Sequence, residues 1–332
     1  MPDSSAPAKP RVIITRELAD SNHHRMCELF DAVPNYADTP FSRDELIAAM
    51  ADCDVLVPTV TDHIDAEMIE NAPDRLRLIA SFGAGVDHIN LAAARAKKIL
   101  VTNTPGVFTE DTADMTMALI LSTPRRLSEG EKLIRSGQWE GWKPSGMLGH
   151  CIGGKKLGII GMGRIGQAVA RRASGFGMSI FYHNRRQLPP AVEESLRASF
   201  LAELDELIRE CDIITLHCPH TDETHEMINA ERIGQMKPST YLINTARGDL
   251  IDENALIEAL QSEKIGGAGL DVYRNEPDID PRFLNLKNTV LLPHMGSATF
   301  EGREAAGERV ITNIRVWADG HRPPDQVLDG WV

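Results

Sequence analysis

The stretch LGIIGMGRIGQAVARRA, Leu157 to Ala173, constrains the fold of this chain more than any other. Gly161, Gly163 and Gly166 stand in G-x-G-x-x-G spacing, between an apolar run that reads as a strand and an Ala/Val-rich run that reads as a helix. In that setting the first glycine permits a tight turn and the second lets the backbone approach a pyrophosphate. The third lets helix and strand pack closely. Free N–H groups at the helix start, together with the helix dipole, favour phosphate charge. Glycines alone also mark ordinary turns. The flanking strand and helix, and a further strand beginning near Met178, make dinucleotide binding the expectation. The residues expected against the cofactor here are Gly161, Met162, Gly163, Arg164, Ile165 and Gly166.

Such a loop needs a parallel sheet around it, and the hydrophobic pattern predicts two. RVIITR (11–16), DVLVPT (54–59), RLRLIAS (75–81) and KKILVTNTP (97–105) read as buried strands alternating with helical segments such as Arg43 to Ala51 and Ala66 to Asn71. This alternation is the pattern of an α/β sheet covered by helices. From Glu110 a long helical pattern follows, which Pro124 should kink or split. Beyond a loop with two tryptophans, six more strand candidates predict a doubly wound sheet: KKLGIIGMG, MSIFYHN, CDIITLHCP, TYLINTARG, IGGAGLDVY and NTVLLPH. A last helical pattern covers Glu301 to Trp317.

The second strand of that series ends in FYHNRRQLPP, Phe181 to Pro190. About 20 residues after the glycine loop an NAD site normally offers an acid to the adenine ribose. That distance lands on His183, followed by Asn184, Arg185 and Arg186. A carboxylate there would repel the 2′-phosphate of NADP, whereas the planar fork of arginine meets phosphate in a bidentate way. The expected cofactor is therefore NADP, with NAD as the alternative. The bland alternative for Arg185 and Arg186 is a solvated pair in an exposed loop.

Composition excludes several classes. The chain has 332 residues, enough for two domains, with 42% hydrophobic and 25% charged residues. No apolar run approaches the ~18 residues of a membrane-spanning helix, and the N-terminal MPDSSAPAKP lacks the apolar centre of a signal peptide and reads as a flexible tail. A net charge of −13 argues against a nucleic-acid surface. Cysteines at 27, 53, 151, 211 and 218 form no CxxC pair and no zinc spacing. That argues against a disulfide framework and a structural metal, and fits reduced thiols and a cytoplasmic location.

Three strand ends carry polar groups suited to chemistry. Arg247 follows one buried run, Asp271 ends another with Glu276 in the loop beyond, and His294 follows a third. In an open α/β sheet these ends border the ligand crevice. Arginine can hold a carboxylate, glutamate can orient and charge a histidine, and histidine can move a proton near neutral pH. Each has a plain alternative: Arg247 as a helix cap or partner of Asp249, Glu276 as loop surface, His294 as partner of a backbone group. Together, on one sheet with a dinucleotide loop, they predict catalysis.

Seven stretches carry a resemblance: SFGAGVDHIN, TNTPGVFTEDTADMTMALIL, LGIIGMGRIGQAVARRA, LHCPHTDETHEMI, LINTARGDLIDENALIEAL, GAGLDVYRNEP and LLPHMGSAT, spanning residues 79 to 299. The chain resembles the D-isomer-specific 2-hydroxyacid dehydrogenase family, and within it the glyoxylate/hydroxypyruvate reductase branch. The resemblance implies an α/β protein of two Rossmann-like domains: a doubly wound coenzyme domain, 103–295, inserted in a flavodoxin-like substrate domain made of 1–102 and 296–332. It implies reduction of a small 2-oxo acid, glyoxylate or hydroxypyruvate, in a cleft, and a homodimer formed through the coenzyme domain. Arg247 is expected to bind the substrate carboxylate and polarise the carbonyl, Glu276 to pair with His294 and favour its protonated form, and His294 to give the proton. The backbone of Ala84, Gly85 and Val86 is expected to hold the substrate carboxylate too. Asp271 is expected at the nicotinamide end, while Thr112, Cys218, Pro219, Thr245, Ala246 and Gly296 are expected along the cofactor.

Met295 and Asn90 depart from the family pattern without touching this chemistry. Trp139, Trp142, Met147 and Leu148 read first as dimer or core packing, with Trp142 also a candidate substrate contact of a neighbouring subunit. Rival readings are phosphoglycerate or D-lactate dehydrogenases that use NAD, and a dinucleotide-sensing corepressor-like protein. The missing acid at His183 counts against phosphoglycerate dehydrogenase. The complete Arg/Glu/His set counts against a sensor. Formate dehydrogenase shares the fold but carries glutamine where this chain has Glu276.

Overall fold

The computed structural model describes residues 9–328; residues 1–8, the bulk of the expected N-terminal tail, and residues 329–332 lie outside the described part. The chain forms two compact units, one from the chain up to Phe108 and from Ala298 onward, the other from Thr109 to Ser297.

The first unit is built on β1 (Arg11–Ile14), β2 (Asp31–Val33), β3 (Val55–Val57), β4 (Leu78–Ala80) and β5 (Leu100–Thr102). They run in the order β2-β1-β3-β4-β5, and every pairing is parallel. Alternate residues of each strand serve opposite faces. Val12, Ile14, Val55 and Val57 pack with Met26 of the helix Asp20–Leu29 and with Val310 and Ile314 of the helix Phe300–Ala318. Ile13, Leu56 and Ile79 pack on the other face with Leu46 and Met50 of the helix Arg43–Asp52. A sheet covered on both sides explains why the inner strands β3 and β4 are apolar throughout. Thr299 starts the long C-terminal helix as its N-cap, its side chain accepting from the backbone N–H of Gly302.

The second unit carries β6 (Lys156–Ile160), β7 (Ser179–His183), β8 (Ala198–Phe200), β9 (Ile213–Leu216), β10 (Tyr241–Asn244), β11 (Gly267–Leu270) and β12 (Thr289–Leu291). Their order is β12-β11-β10-β9-β6-β7-β8, again all parallel. The order reverses between β6 and β9, and in a doubly wound sheet the ligand crevice lies outside the carboxyl ends at that switch point. Leu157, Ile159, Ile213 and Ile243 face the helices Thr109–Ser122 and Arg164–Gly175. Ile160, Ile214, Leu216 and Leu242 face the helices Leu204–Glu210 and Glu253–Gln261.

Pro124 splits the long helical pattern: Thr109–Ser122 ends before it and Leu127–Arg135 begins after it, with Arg126 in the left-handed region at φ 56°. The second helix buries none of its residues. Two strands lacked a sequence signal, β2 and β8, each three residues long at a sheet edge and partly exposed. No helix among the described residues is long and apolar enough to cross a membrane.

Candidate active site

The glycine loop leaves β6 and opens the helix Arg164–Gly175, with Gly163 as its N-cap. Gly161 adopts φ +98°, and a Cβ there would lie 2.6 Å from the backbone nitrogen of Cys218. Only glycine fits both the dihedral and the approach to the end of β9. At Gly166 a Cβ would stand 2.4 Å from the carbonyl oxygen of Gly161, so helix and turn touch backbone to backbone. At Gly163 a Cβ would meet nothing within 4 Å. The loop is therefore closed against protein at its first and third glycines and open at its second, the side where a pyrophosphate has to approach. The first N–H groups of a helix have no partner within it, so those of Arg164, Ile165 and Gly166 are suited to receive phosphate oxygens. The residues present fit a dinucleotide.

Asn184 braces this loop: its Oδ1 accepts from the N–H of Met162 at 2.7 Å. The N–H of Gly161 donates to the carbonyl of His183 at 3.0 Å, and His183 Nδ1 lies 3.1 Å from the carbonyl of Leu201. Two of the four residues expected to read the ribose end thus also hold the loop in shape. Arg185 and Arg186 are exposed, with Arg185 3.7 Å from Glu223, itself exposed.

The catalytic candidates stand on adjacent strand ends. His294 follows β12, Glu276 follows β11 and Arg247 follows β10. His294 Nδ1 is 2.6 Å from Glu276 Oε2, and the other carboxylate oxygen accepts from the N–H of Tyr273 at 2.9 Å. Burial pushes the Glu276 carboxyl up, but the hydrogen bond and charge of His294, the Tyr273 N–H and the charge of Arg247 outweigh it, and the group sits below its ordinary value. The structure therefore joins Glu276 and His294 directly, with Arg247 at the neighbouring strand end adding a favourable charge. His294 itself adopts φ 52°, a conformation that costs a non-glycine residue about 1–3 kcal/mol and persists only where the surroundings impose it.

Asp271 imposes it. The residue is 1% exposed. Its carbonyl accepts from the N–H of His294 at 2.8 Å, and its carboxylate oxygens accept from Met295 at 2.8 Å and Gly296 at 2.7 Å. Burial raises its carboxyl above the ordinary value against those two hydrogen bonds. Asp271 is thus the clamp of the histidine loop, a role its place at a strand end did not disclose. Thr112 lies against Gly296, and the buried Thr116 bridges to Thr245 with hydroxyl oxygens 2.8 Å apart.

Asn244 is a second brace. Fully buried, it donates from Nδ2 to the carbonyl of Arg247 at 2.8 Å and accepts at Oδ1 from the N–H of Ala246 at 3.0 Å. It fixes the turn Thr245–Ala246–Arg247. A polar residue ending the otherwise apolar run YLIN was the available signal. Cys218 is half-buried beside Met227, and burial pushes its thiol up to about 11, which disfavours the thiolate at neutral pH. Pro219 is exposed at the start of the next loop.

In the first unit, Ala84–Gly85–Val86 form the turn after β4. Asn103 donates to the carbonyl of Ala84 at 2.6 Å, and Thr104 N–H donates to the carbonyl of Gly83 at 2.9 Å. The turn is held by its carbonyls. Trp142 is 82% exposed, and Trp139, Met147 and Leu148 are exposed too, so among the described residues this loop is not packed into a core.

Residues 117–296 match the family model described as D-isomer specific 2-hydroxyacid dehydrogenase, NAD binding domain. A glyoxylate reductase of Thermococcus litoralis is 45% identical over 324 residues, 96% of this chain and 97% of that protein. Among solved structures, a glyoxylate reductase from Paecilomyes thermophila superposes with a TM-score of 0.86 at 33% identity, covering 97% of this chain and 98% of that one. An NADPH-dependent glyoxylate/hydroxypyruvate reductase from Sinorhizobium meliloti, in complex with NADP and malonate, gives a TM-score of 0.85 at 32% identity, covering 98% of each chain.

Proposed function

The chain belongs to the D-isomer-specific 2-hydroxyacid dehydrogenase family, whose nicotinamide dinucleotide domain it carries, and from that premise we propose that it reduces a small 2-oxo acid, glyoxylate or hydroxypyruvate, with NADPH. The observation that carries this reading is the 2.6 Å contact between His294 and Glu276 at the strand end next to Arg247. Relatives similar over nearly the whole length are named glyoxylate reductases, which supports the substrate class.

The bound cofactor supplies the hydride. Arg247 holds the substrate carboxylate as a charge-assisted pair and turns the keto group toward the site. The N–H groups of Ala84, Gly85 and Val86 are assigned to substrate binding. Because Glu276 occupies Nδ1 of His294, Nε2 is the atom that delivers a proton to the carbonyl oxygen, and Glu276 compensates the positive charge until it leaves. Asp271 and Asn244 keep the His294 and Arg247 turns in register. Gly161 to Gly166, with Thr112, Thr245, Ala246, Cys218, Pro219 and Gly296, are assigned to the dinucleotide, and Arg185, Arg186 and the Asn184 amide to the 2′-phosphate. The unit Thr109–Ser297 is then the coenzyme domain and the other the substrate domain. The uncovered helix Leu127–Arg135 and the tryptophan loop are assigned to a homodimer contact.

The test is oxidation of NADPH and NADH against glyoxylate, hydroxypyruvate, pyruvate and bulkier 2-oxo acids. Turnover of the two small acids is expected, with NADPH preferred. Loss of a general acid costs about 10²–10⁴-fold, so His294→Ala is expected to lose turnover by that factor while still binding NADPH. Arg247→Ala is expected to lose saturation by the oxo acid. A His294→Ala enzyme of normal turnover rejects the proton-donor assignment, and inactivity of the wild type on every acid rejects the reading.

A further inference from the structure

His220, His225 and Asp249 converge outside the residues assigned above to chemistry. Their ligand atoms all lie within 4.8 Å of one another, and His220 Nε2 is 3.2 Å from His225 Nδ1. Two ring nitrogens that close must share something electropositive, because facing lone pairs repel. A shared proton satisfies them, and so does a metal ion. Two imidazoles bound tetrahedrally at about 2.0–2.1 Å set their nitrogens about 3.3 Å apart, so the observed spacing is that of a ready-made pair of ligands.

The surrounding backbone holds these groups in place. The turn from Pro219 to Met227 is closed by Thr224 Oγ1 donating to the Pro219 carbonyl at 2.8 Å and accepting from Thr221 N–H at 2.8 Å, and by His225 N–H on the Thr221 carbonyl at 2.9 Å. That closure is what sets a histidine five residues on beside the first. Asp249 comes from another segment, yet Glu226 N–H donates to the Asp249 carbonyl at 2.7 Å and Ile228 N–H to that of Leu250 at 3.0 Å. Of the charges set against the cluster, Asp249, Glu226 and Glu253 are negative and Arg274 positive. Arg274 is committed to Glu226 at 2.6 Å and stays 3.9 Å from Asp249. With neutral imidazoles the balance is negative, which favours a cation. Glu226 also lies 3.8 Å from His225 Nε2, the nitrogen opposite the ligand atom, where metal-bound imidazoles commonly lean on a carboxylate.

We propose that His220 Nε2, His225 Nδ1 and an Asp249 carboxylate oxygen form a binding site for a divalent transition ion of the zinc class, completed by water. Three protein ligands and an open position make an exchangeable site. Imidazole and carboxylate donors suit zinc better than calcium or magnesium, which take oxygen ligands. The cysteine spacing gave no hint of it, because no thiolate takes part. An ion there ties the loop after β9 to the segment that begins two residues beyond Arg247. The inference is independent of the substrate assignment.

Zinc chloride titrated calorimetrically into the untagged, chelator-stripped full chain tests it. The background is Cys27→Ser/Cys151→Ser, which removes the two exposed thiols. One ion per chain is expected. Loss of an outer partner alone weakens metal sites by about 10–100-fold, so His220→Gln and His225→Gln should each weaken binding by at least about tenfold, with magnesium giving no heat. Circular dichroism checks the fold of each variant, and Asp249→Asn, expected to weaken binding likewise, replaces either histidine variant that fails to fold. Absence of zinc uptake, or uptake unchanged in the folded variants, leaves the two histidines sharing a proton and overturns the site.

Discussion

At the scale of single residues, Glu276 decides how the site responds to acid. Its carboxyl sits below the ordinary value, because its partners outweigh the cost of burial. The sign follows: a carboxylate depressed in the folded state contributes stability above its unfolded value, about 4.3, and loses it as pH falls through the folded value. Glu276→Gln should therefore lower the melting temperature at pH 7, with the gap to wild type closing as the pH drops below 4. A gap that stays constant down to pH 3 means that the pair adds nothing. Arg185 and Arg186 belong to the same scale. A hydrogen bond to a charged group is worth about 1.5–3 kcal/mol, so neutralising both with glutamine should raise the Michaelis constant for NADPH by about 10–100-fold and leave that for NADH nearly unchanged. Equal changes in both return the pair to solvated surface. The residues proposed for chemistry were readable in the sequence by type and by position at strand ends. The residues that hold them were not. Asp271 and Asn244 act through backbone groups of Met295, Gly296, Ala246 and Arg247, and such partners exist only once the turns are folded.

At the scale of elements, apolar runs marked every strand buried on both faces, because a covered parallel strand has no polar side to interrupt the run. They failed at β2 and β8, edge strands in which no residue is fully buried, so no apolar run marks them. Pro124 marked the break in the long helix for a local steric reason, and tertiary packing did not override it. The helix beyond the break is a different case. Leu127 and Ile134 lie exposed on it, and Trp139, Trp142 and Leu148 follow in the loop. The sequence showed apolar residues here and left open what they pack against. Among the described residues nothing buries them, and exposed apolar residues gathered in one segment mark association surfaces. Trp139→Ser combined with Leu148→Asp should shift the chain from dimer to monomer in light scattering after gel filtration. A wild-type chain that is already monomeric at micromolar concentration rules the contact out.

At the scale of the whole molecule, the strand orders β2-β1-β3-β4-β5 and β12-β11-β10-β9-β6-β7-β8 are two solutions to one problem, a parallel sheet covered on both faces. The fold alone does not tell them apart in function. The difference lies in what the carboxyl ends carry. In the second sheet the carboxyl ends of β6, β7, β9, β10, β11 and β12 carry or lead into Gly161, His183, Cys218, Arg247, Glu276 and His294, so six strands bring the residues proposed for the dinucleotide and for proton transfer to a single edge. A ligand held by that unit must stabilise it by mass action, by about 2.7 kcal/mol at a hundred times its dissociation constant. Calorimetric unfolding with equal concentrations of NADPH and NADH should show the larger upward shift with NADPH. With Arg185 and Arg186 replaced by glutamine, the two shifts should become equal. Because this readout needs neither substrate nor turnover, it separates failure of the cofactor assignment from failure of the oxo-acid assignment: no shift with either nucleotide removes the first, whereas a shift without turnover removes only the second.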